Sequence, residues 1–454
     1  MTPVITETPP AGHAPAGPAS AGTVGWDAWG MIVILTLAYT VSFIDRQVLN
    51  LLVEPLKLAF DLSDTRLSLL QGLSFTLAYV VCSPLMGRLA DTSNRRNILV
   101  GGVALWSLAT ALCGLSRSYW QLFAARTGVG AAEASLTPAA WSIIADRFPA
   151  HLMPRALSIF MMGPYLGGGL ALIFGGLLLE YAEGRNFPFL APWQFVFLAV
   201  AVPGLLIAAA LMLFVREPVR KLTAGEDENT AMPLAEVGRR FKANGRFYFC
   251  FYGGMSGIVI TLYAFPAWMP AVLMRQFGAE AATVGVQYGA LVLIGGSAGV
   301  LTGPLVARWL EKRGRLDALM IVPLISAAAV AVLSALLWWA GSYGAALALG
   351  GLASFAYSLP MAGASAALQI VTPNRMRGMA SALYVFIISV VGLGTAPTIV
   401  ALITDRIFAD ESMVGHALGV TCAVSAVIGF VLLWLAQKEY ARLISDQGLV
   451  GDQG

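Results

Sequence analysis

The sequence predicts an all-α membrane protein, with twelve transmembrane helices in two pseudo-symmetric six-helix bundles. Three observations predict it. The composition is too apolar for a soluble chain, the apolar runs are continuous at bilayer length, and one charged loop divides them six and six.

Of 454 residues, 58% are hydrophobic and only 12% charged, where a soluble domain carries about a quarter charged residues. Mean hydropathy is +0.75. A soluble enzyme is excluded first. A net charge of +3 gives nucleic-acid binding no electrostatic support. Cys82, Cys113, Cys250 and Cys422 are far apart, and His13, His151 and His416 are equally scattered. No disulfide framework or metal site is expected, and no cofactor. No lysine follows a glycine, so the core of a phosphate-binding loop is missing.

Residues 1–24, rich in Pro, Ala, Gly and Thr, read as a disordered cytoplasmic tail rather than a cleaved signal peptide. The first bundle is placed at 25–215, with spans near 29–56, 66–88, 97–115, 119–145, 153–180 and 192–215. A cytoplasmic linker follows at 216–245. The second bundle occupies 246–438, with spans near 247–274, 283–308, 317–340, 343–371, 377–404 and 414–437, and 439–454 is a cytoplasmic tail. About 32 residues per span suit a bilayer-crossing helix plus a short connector. Continuous apolar runs without alternation argue for helices over a barrel.

Basic residues set the orientation. With both termini in the cytoplasm, 20 of the 28 Lys and Arg fall in cytoplasmic loops or tails. Lys57, Arg66, Arg117, Arg185, Arg275 and Arg406 fall outside, and Arg46 and Arg126 lie within spans. A multi-pass protein of the cell's inner membrane is expected, as a monomer. Within the linker, Met232–Phe247 mixes apolar positions with Arg239, Arg240, Lys242 and Arg246. It reads as an interfacial helix on an anionic leaflet or as an ordinary solvated linker.

Weak internal likeness supports duplication. Gly87-Arg88-Leu89 ends span 2 as Gly303-Pro304-Leu305 ends span 8, and Arg155-Ala156-Leu157-Ser158 opens span 5 as Arg377-Gly378-Met379-Ala380-Ser381 opens span 11. Parallel six-span repeats with a midplane site between them are a transporter architecture.

Four charges are sunk in the first half: Asp45, Arg46, Arg126 and Glu133. An unpaired charge at such depth costs at least about 2.5 kcal/mol. At 1.5 Å per residue, Asp45 lies roughly 24 Å from the start of span 1, and Arg126 and Glu133 about 10 and 20 Å below the outer end of span 4. Arg126, Gly130 and Glu133 share one helical face by their i, i+4, i+7 spacing. Asp45 and Arg46 differ by roughly 100° in azimuth, so one lines a cavity while the other braces a neighbour.

The functional reading is anion recognition by the arginines and proton coupling through Asp45 and Glu133, with an Arg46–Glu133 pair as partner network. The alternative is a fixed brace pinning span 1 to span 4. Spans 7 to 12 carry no Asp, Glu, Lys or Arg between their ends. One charged wall facing a largely apolar one favours an amphiphilic substrate, unless the second half simply packs tightly. Gln71, Tyr79, Tyr165, Gln369 and Tyr384 complete the expected substrate contacts. Gly163, Pro164, Gly167 and Gly168 on span 5 read as close helix packing in preference to a hinge.

Gly87-Arg88-Leu89-Ala90-Asp91-Thr92-Ser93-Asn94-Arg95-Arg96 resembles the signature of the major facilitator superfamily between spans 2 and 3, departing from it at Thr92 and Asn94. The second-half copy has Ala307 where the acid would be. Gly163-Pro164-x-x-Gly167-Gly168 is similar to the superfamily's antiporter motif. Phe43-Ile44-Asp45-Arg46 with Arg126-Thr127-Gly128-Val129-Gly130-Ala131-Ala132-Glu133-Ala134 looks like the spinster branch, implicated in sphingolipid and lysolipid transport. The resemblance implies the major facilitator fold, alternating access, and an inner gate at Asp91, supported by Arg95, Arg96, Asp146 and Arg147.

The function expected is proton-coupled secondary transport of an amphiphilic, anionic, lipid-like molecule. A carboxylate symporter of the same superfamily is the rival. A membrane lipid enzyme or receptor is the reading from another class, and no nucleophile–base pair supports the enzyme.

Overall fold

The computed structural model describes residues 25–149, 152–185, 187–218, 234–373 and 376–446. Among them it is helical, with no strand. Eleven helical stretches are long and apolar enough to cross a bilayer. They are Trp26–Asn50 (span 1), Asp64–Ala90 (2), Arg95–Leu115 (3), Arg155–Glu183 (5), Pro192–Phe214 (6), Gly245–Phe277 (7), Ala281–Glu311 (8), Ala318–Trp339 (9), Tyr343–Val371 (10), Met379–Phe408 (11) and Glu411–Ser445 (12). Span 4 is two helices, Tyr119–Glu133 and Leu136–Arg147. It carries Arg126 and Glu133, which lower its hydropathy. With twelve crossings, the first and last described helices emerge on one face, here the terminal face; the opposite one is the far face.

Several runs that read as single helices are interrupted. Span 1 is α-helical to Gln47, tightens to a 3-10 turn at Val48–Asn50, and is followed by a separate helix, Val53–Phe60. Span 5 breaks at Met161 and Met162, just before Pro164, and span 10 breaks at Leu359 and Pro360. Proline lacks the N–H that an unbroken ladder needs. Span 11 contains a π-helical segment, Ser389–Thr395, with Gly392 and Gly394 inside it. Apolarity sets where a helix crosses, whereas these local breaks depend on its neighbours. The last helix continues past residue 438 to Ser445, and Glu439 there pairs with Arg246 at 3.2 Å. In the linker the described helix is Leu234–Ala243. Met232 lies outside the described residues.

Within the first half, span 1 packs on spans 5 and 6, span 3 on spans 4 and 6, and span 2 on span 4. In the second, span 12 packs on spans 7 and 9, and span 10 on spans 8 and 9. Between the halves, span 5 meets span 8 and span 2 meets span 11. Advancing each number by six maps the 2–11 contact onto the 8–5 contact, as a duplicated unit requires.

Lipid supplies no hydrophobic drive for helix association, so close backbone approach does the work. At the 5–8 seam, a Cβ on Gly289 would lie 2.8 Å from the Gly169 carbonyl oxygen, and one on Gly285 would run into the Leu172 carbonyl. Gly163 and Gly167 serve the first half instead. A Cβ on Gly163 would sit 2.7 Å from Tyr39 Cβ, and one on Gly167 2.5 Å from Phe43 Cβ.

Gly130 gives a testable contrast within span 4. Its Cβ would collide with the Phe75 carbonyl of span 2, whereas a Cβ on Gly128 would meet only Ala109, at 3.6 Å. Gly130→Val should therefore destabilise the solubilised protein by about 1–3 kcal/mol, and Gly128→Ala should leave it unchanged. Equal melting behaviour of the two variants would remove the close-approach argument.

Candidate functional site

Span 1 positions the central charges through its helix end. The last four carbonyls of an α-helix lack intrahelical donors, and the α-helix here stops at Gln47. Arg126 of span 4 supplies donors: Nη1 donates to the Asp45 carbonyl at 2.9 Å and Nη2 to the Arg46 carbonyl at 3.4 Å. Arg126 is completely buried. Its guanidinium holds span 1 to span 4 and is not among the groups lining a cavity.

Arg46 turns the other way. Its Nη2 donates to Glu133 Oε2 at 2.7 Å, and Ser42 Oγ donates to the same oxygen at 2.7 Å. The guanidinium lies 4.4 Å from the ring centre of Phe43, 4.3 Å from Phe75 and 5.6 Å from Tyr79. Aromatic faces favour a desolvated cation. Asp45 is fully buried, and the Thr110 hydroxyl is the hydrogen-bonding group beside its carboxylate. Its charged neighbours are Glu133 and Arg126. The 100° offset along span 1 thus separates a cation at a cavity wall from a carboxyl held among spans 1, 3 and 4.

Two adjoining compartments beside the buried charges lie between the halves. The larger, about 150 Å³, is lined by Phe43 and Gln47 of span 1, Tyr165 and Gly168 of span 5, and second-half residues including Leu262, Tyr263, Val292, Tyr357 and Met361. The smaller, about 10 Å³, is lined by Arg46, Gln47, Asn50 and Gln71 from the first half. Tyr263, Ala267, Leu393 and Pro397 complete it from the second. Among the described residues, Arg46 is the one ionised side chain lining either compartment. Gln71 Nε2 donates to Asn50 Oδ1 at 3.2 Å and to the Ala267 carbonyl at 3.1 Å, bridging the halves.

Tyr165, with Pro164 and Gly168, faces the larger compartment, and Gln71 the smaller. Tyr79 stacks on Phe75 beside Arg46. Gln369 and Tyr384 are not among the lining residues. Gln369 accepts a bond from Arg377 through its carbonyl, while Tyr384 packs on Phe251 and Tyr252.

On the terminal face, Arg95 Nε reaches Glu217 at 2.7 Å, Nη2 donates to the Pro218 carbonyl at 3.1 Å, and Nη1 bonds Ser142 Oγ at 2.9 Å and also Asp146. The Arg96 N–H donates to Glu217 Oε2 at 2.8 Å, and Arg147 pairs with Asp27. Arg95, Asp146 and Arg147 thereby bind spans 1, 3, 4 and the end of span 6 to one another. The Asp91 side chain lies outside the described residues.

The far face carries a cluster that sequence reasoning missed. Arg275 at the end of span 7 grips Asp64 with both nitrogens, at 2.6 and 2.8 Å, and Glu54 with Nε at 2.6 Å. Lys57 bonds Asp64 at 2.7 Å and Glu411 at 2.6 Å. Asp405 of span 11 accepts from the N–H and hydroxyl of Thr65, at 2.8 and 2.6 Å, capping the first turn of span 2. Each of these acids or bases bonds across the halves. In sequence they are ordinary loop-end charges. The one available signal was that acids at 54 and 64 and a base at 275 fall at equal depth.

Comparison with known proteins agrees with this geometry. The family model for the Major Facilitator Superfamily matches residues 35–397. An MFS-type efflux pump of Mycolicibacterium smegmatis is 27% identical over 437 residues, 92% of this chain and 95% of that one. Protein spinster homolog 1 of Xenopus laevis is 28% identical over 398 residues, 83% of this chain and 73% of that one. The crystal structure of a bacterial homolog of the human lysosomal transporter Spinster, inward-facing and unoccupied, superposes with a TM-score of 0.75 at 24% identity, covering 94% of this chain and 98% of that one.

Proposed function

We propose that this chain, which belongs to the Major Facilitator Superfamily and is a transporter, moves an amphiphilic anion of lysolipid or sphingolipid type by proton-coupled alternating access. The observation that carries the reading is the asymmetry of the inter-half space. In the two central compartments the ionised lining group is Arg46, from the first half, and the second half contributes mostly apolar and aromatic walls. A forked guanidinium matches a phosphate or carboxylate head, and an apolar wall suits a hydrocarbon tail. Relatives over most of this chain carry the spinster name, the branch that the span 1 and span 4 motifs resemble. The larger compartment is small beside typical ligand pockets of about 300–1,000 Å³, so admitting substrate requires the halves to part. The far-face ion pairs hold that face closed, and the terminal face is the side from which this state would load. The excess of basic residues around the terminal face puts both termini in the cytoplasm, in a protein acting as a monomer in the cell's inner membrane. Asp91, Arg95, Arg96, Asp146 and Arg147 form the gate on that face.

Competition in proteoliposomes tests the substrate class. A long-chain lysophosphatidic acid should displace a bound fluorescent lysolipid, and a short carboxylic acid should not. The reverse ranking would favour a small-anion symporter.

Proton coupling is assigned to Asp45, with Glu133 as its partner acid. A fully buried carboxyl group costs free energy when ionised, and wetting or a bound proton relieves that cost. Asp45→Asn should fold normally, retain binding, and lose the acceleration of uptake produced by an imposed proton gradient. An Asp45→Asn variant whose uptake still follows the gradient would take Asp45 out of the coupling step.

A further inference from the structure

The two compartments share two lining residues, Gln47 and Tyr263. These side chains stand between a mainly apolar space and a polar one. Tyr263 lies on span 7 inside the long helix Gly245–Phe277, and its ring is seated against the π-helical segment of span 11. A Cβ placed on Gly392 there would lie 2.9 and 3.2 Å from the ring's Cδ2 and Cε2. The seat exists because residue 392 has no side chain.

Beyond this wall the polar space is unfinished. Arg46 Nε and Gln71 Oε1 are buried without hydrogen-bond partners. Buried polar atoms are normally satisfied, so this pair of orphans points to an incoming group that has both an acceptor for the arginine and a donor for the amide. Yet the space beside them is about 10 Å³, roughly the room one water requires. No headgroup enters without moving part of the wall. Gln71 is tied to Asn50 and to the span 7 backbone, and Arg46 is clamped by Glu133 and two flanking phenyl rings, with the Tyr263 hydroxyl as a further contact that a swing of that ring would release. The Tyr263 ring, partly exposed to the larger compartment, is the wall element with space to swing into.

We propose that Tyr263, with Gln47 beside it, is a partition that selects the substrate's headgroup by size. The head must displace the ring to reach Arg46 while the tail stays in the apolar compartment. A compact, protonatable head such as a phosphate monoester supplies the acceptor and donor that Arg46 Nε and Gln71 Oε1 lack. A phosphodiester bearing a further polar group demands a larger displacement. This inference rests on the amphiphilic-anion reading above and names the residue that sets selectivity within it.

The test uses the full chain in proteoliposomes, with two lysolipids of one acyl chain: lysophosphatidic acid and lysophosphatidylglycerol. Wild type, Tyr263→Phe and Tyr263→Ala are compared by kcat/KM for each. Wild type should prefer the bare phosphate. Tyr263→Phe keeps the ring and should keep the preference. Tyr263→Ala should lower it by about tenfold, the scale of one side chain's contribution to pocket discrimination, through a reduced KM for the larger head. An unchanged preference in Tyr263→Ala, with both lipids still carried, overturns the partition and leaves the substrate class standing. So does an equal loss in Tyr263→Phe, which would assign the selection to the hydroxyl. If wild type binds neither lysolipid, the amphiphilic-anion reading and the partition both fall.

Discussion

Arg126→Ala should cost the protein stability before it costs selectivity. Removing the guanidinium orphans the carbonyls of Asp45 and Arg46 in the membrane core, where an unpaired acceptor costs about 1–3 kcal/mol. It also deletes a buried cation that faces the Asp45 and Glu133 carboxyl groups. Breaking a buried charge arrangement from one side costs about 3–5 kcal/mol, and a loss of that size should appear as a much lower unfolding temperature in detergent. Uptake of anionic and uncharged amphiphiles should fall together, because the guanidinium bonds the span 1 backbone. Arg126→Lys should recover only part of the loss, since one ammonium cannot reproduce a fork spanning two carbonyls. An Arg126→Ala protein as stable as wild type, failing only on anions, would return this residue to substrate recognition.

That expectation departs from what the sequence alone suggests, and the reason is instructive. Two arginines at similar depth on adjacent spans look equivalent as a string, and both invite an anion. The backbone separates them. Span 1 ends its α-helix at Gln47, and the resulting free carbonyls consume one arginine, leaving Arg46 for the cavity wall. The Arg46–Glu133 pair was legible, because azimuth and depth followed from helical geometry. Twelve crossings, the division into halves and the glycine-packed span 5 were legible for the same reason: each depends on local composition or on a fixed rise per residue.

What escaped was relational. The Tyr263 partition needs a glycine on span 11 opposite an aromatic on span 7, and no periodicity within one helix records that juxtaposition. Gln369 and Tyr384 have the polarity expected of site residues, but in this state neither lines the two central compartments. The far-face ion pairs join residues more than two hundred positions apart, such as Asp64 and Arg275, across an interface that exists only once both halves are folded.

Those ion pairs carry the second large effect. Arg275→Ala should open the far face. The arginine makes three short charge-assisted bonds, two to Asp64 and one to Glu54, with Asp64 wholly buried and the Arg275 side chain nearly so. Charge-assisted bonds are about twice as strong as neutral ones, and bidentate geometry makes this pair more than a surface contact. A carrier must nevertheless reverse its closure, and moving a two-state balance from 1:99 to 99:1 takes about 5.5 kcal/mol. Losing even 1.4 kcal/mol from the closed state shifts the populations tenfold. With Cys82 replaced by alanine, a cysteine at Ser68, buried in the seam against Thr398, should react with a membrane-impermeant thiol reagent from the far side at least about tenfold faster in Arg275→Ala. Arg275→Lys retains the charge but loses the fork, so its rate should fall between the two. The remaining latches, Lys57 with Glu411 and Asp405 with Thr65, would keep the opening reversible. If the reagent reacts at one rate in all three backgrounds, the ion pairs are ornament on a face closed by helix packing alone. The 5–8 glycine seam would then be what the transport cycle has to prise apart.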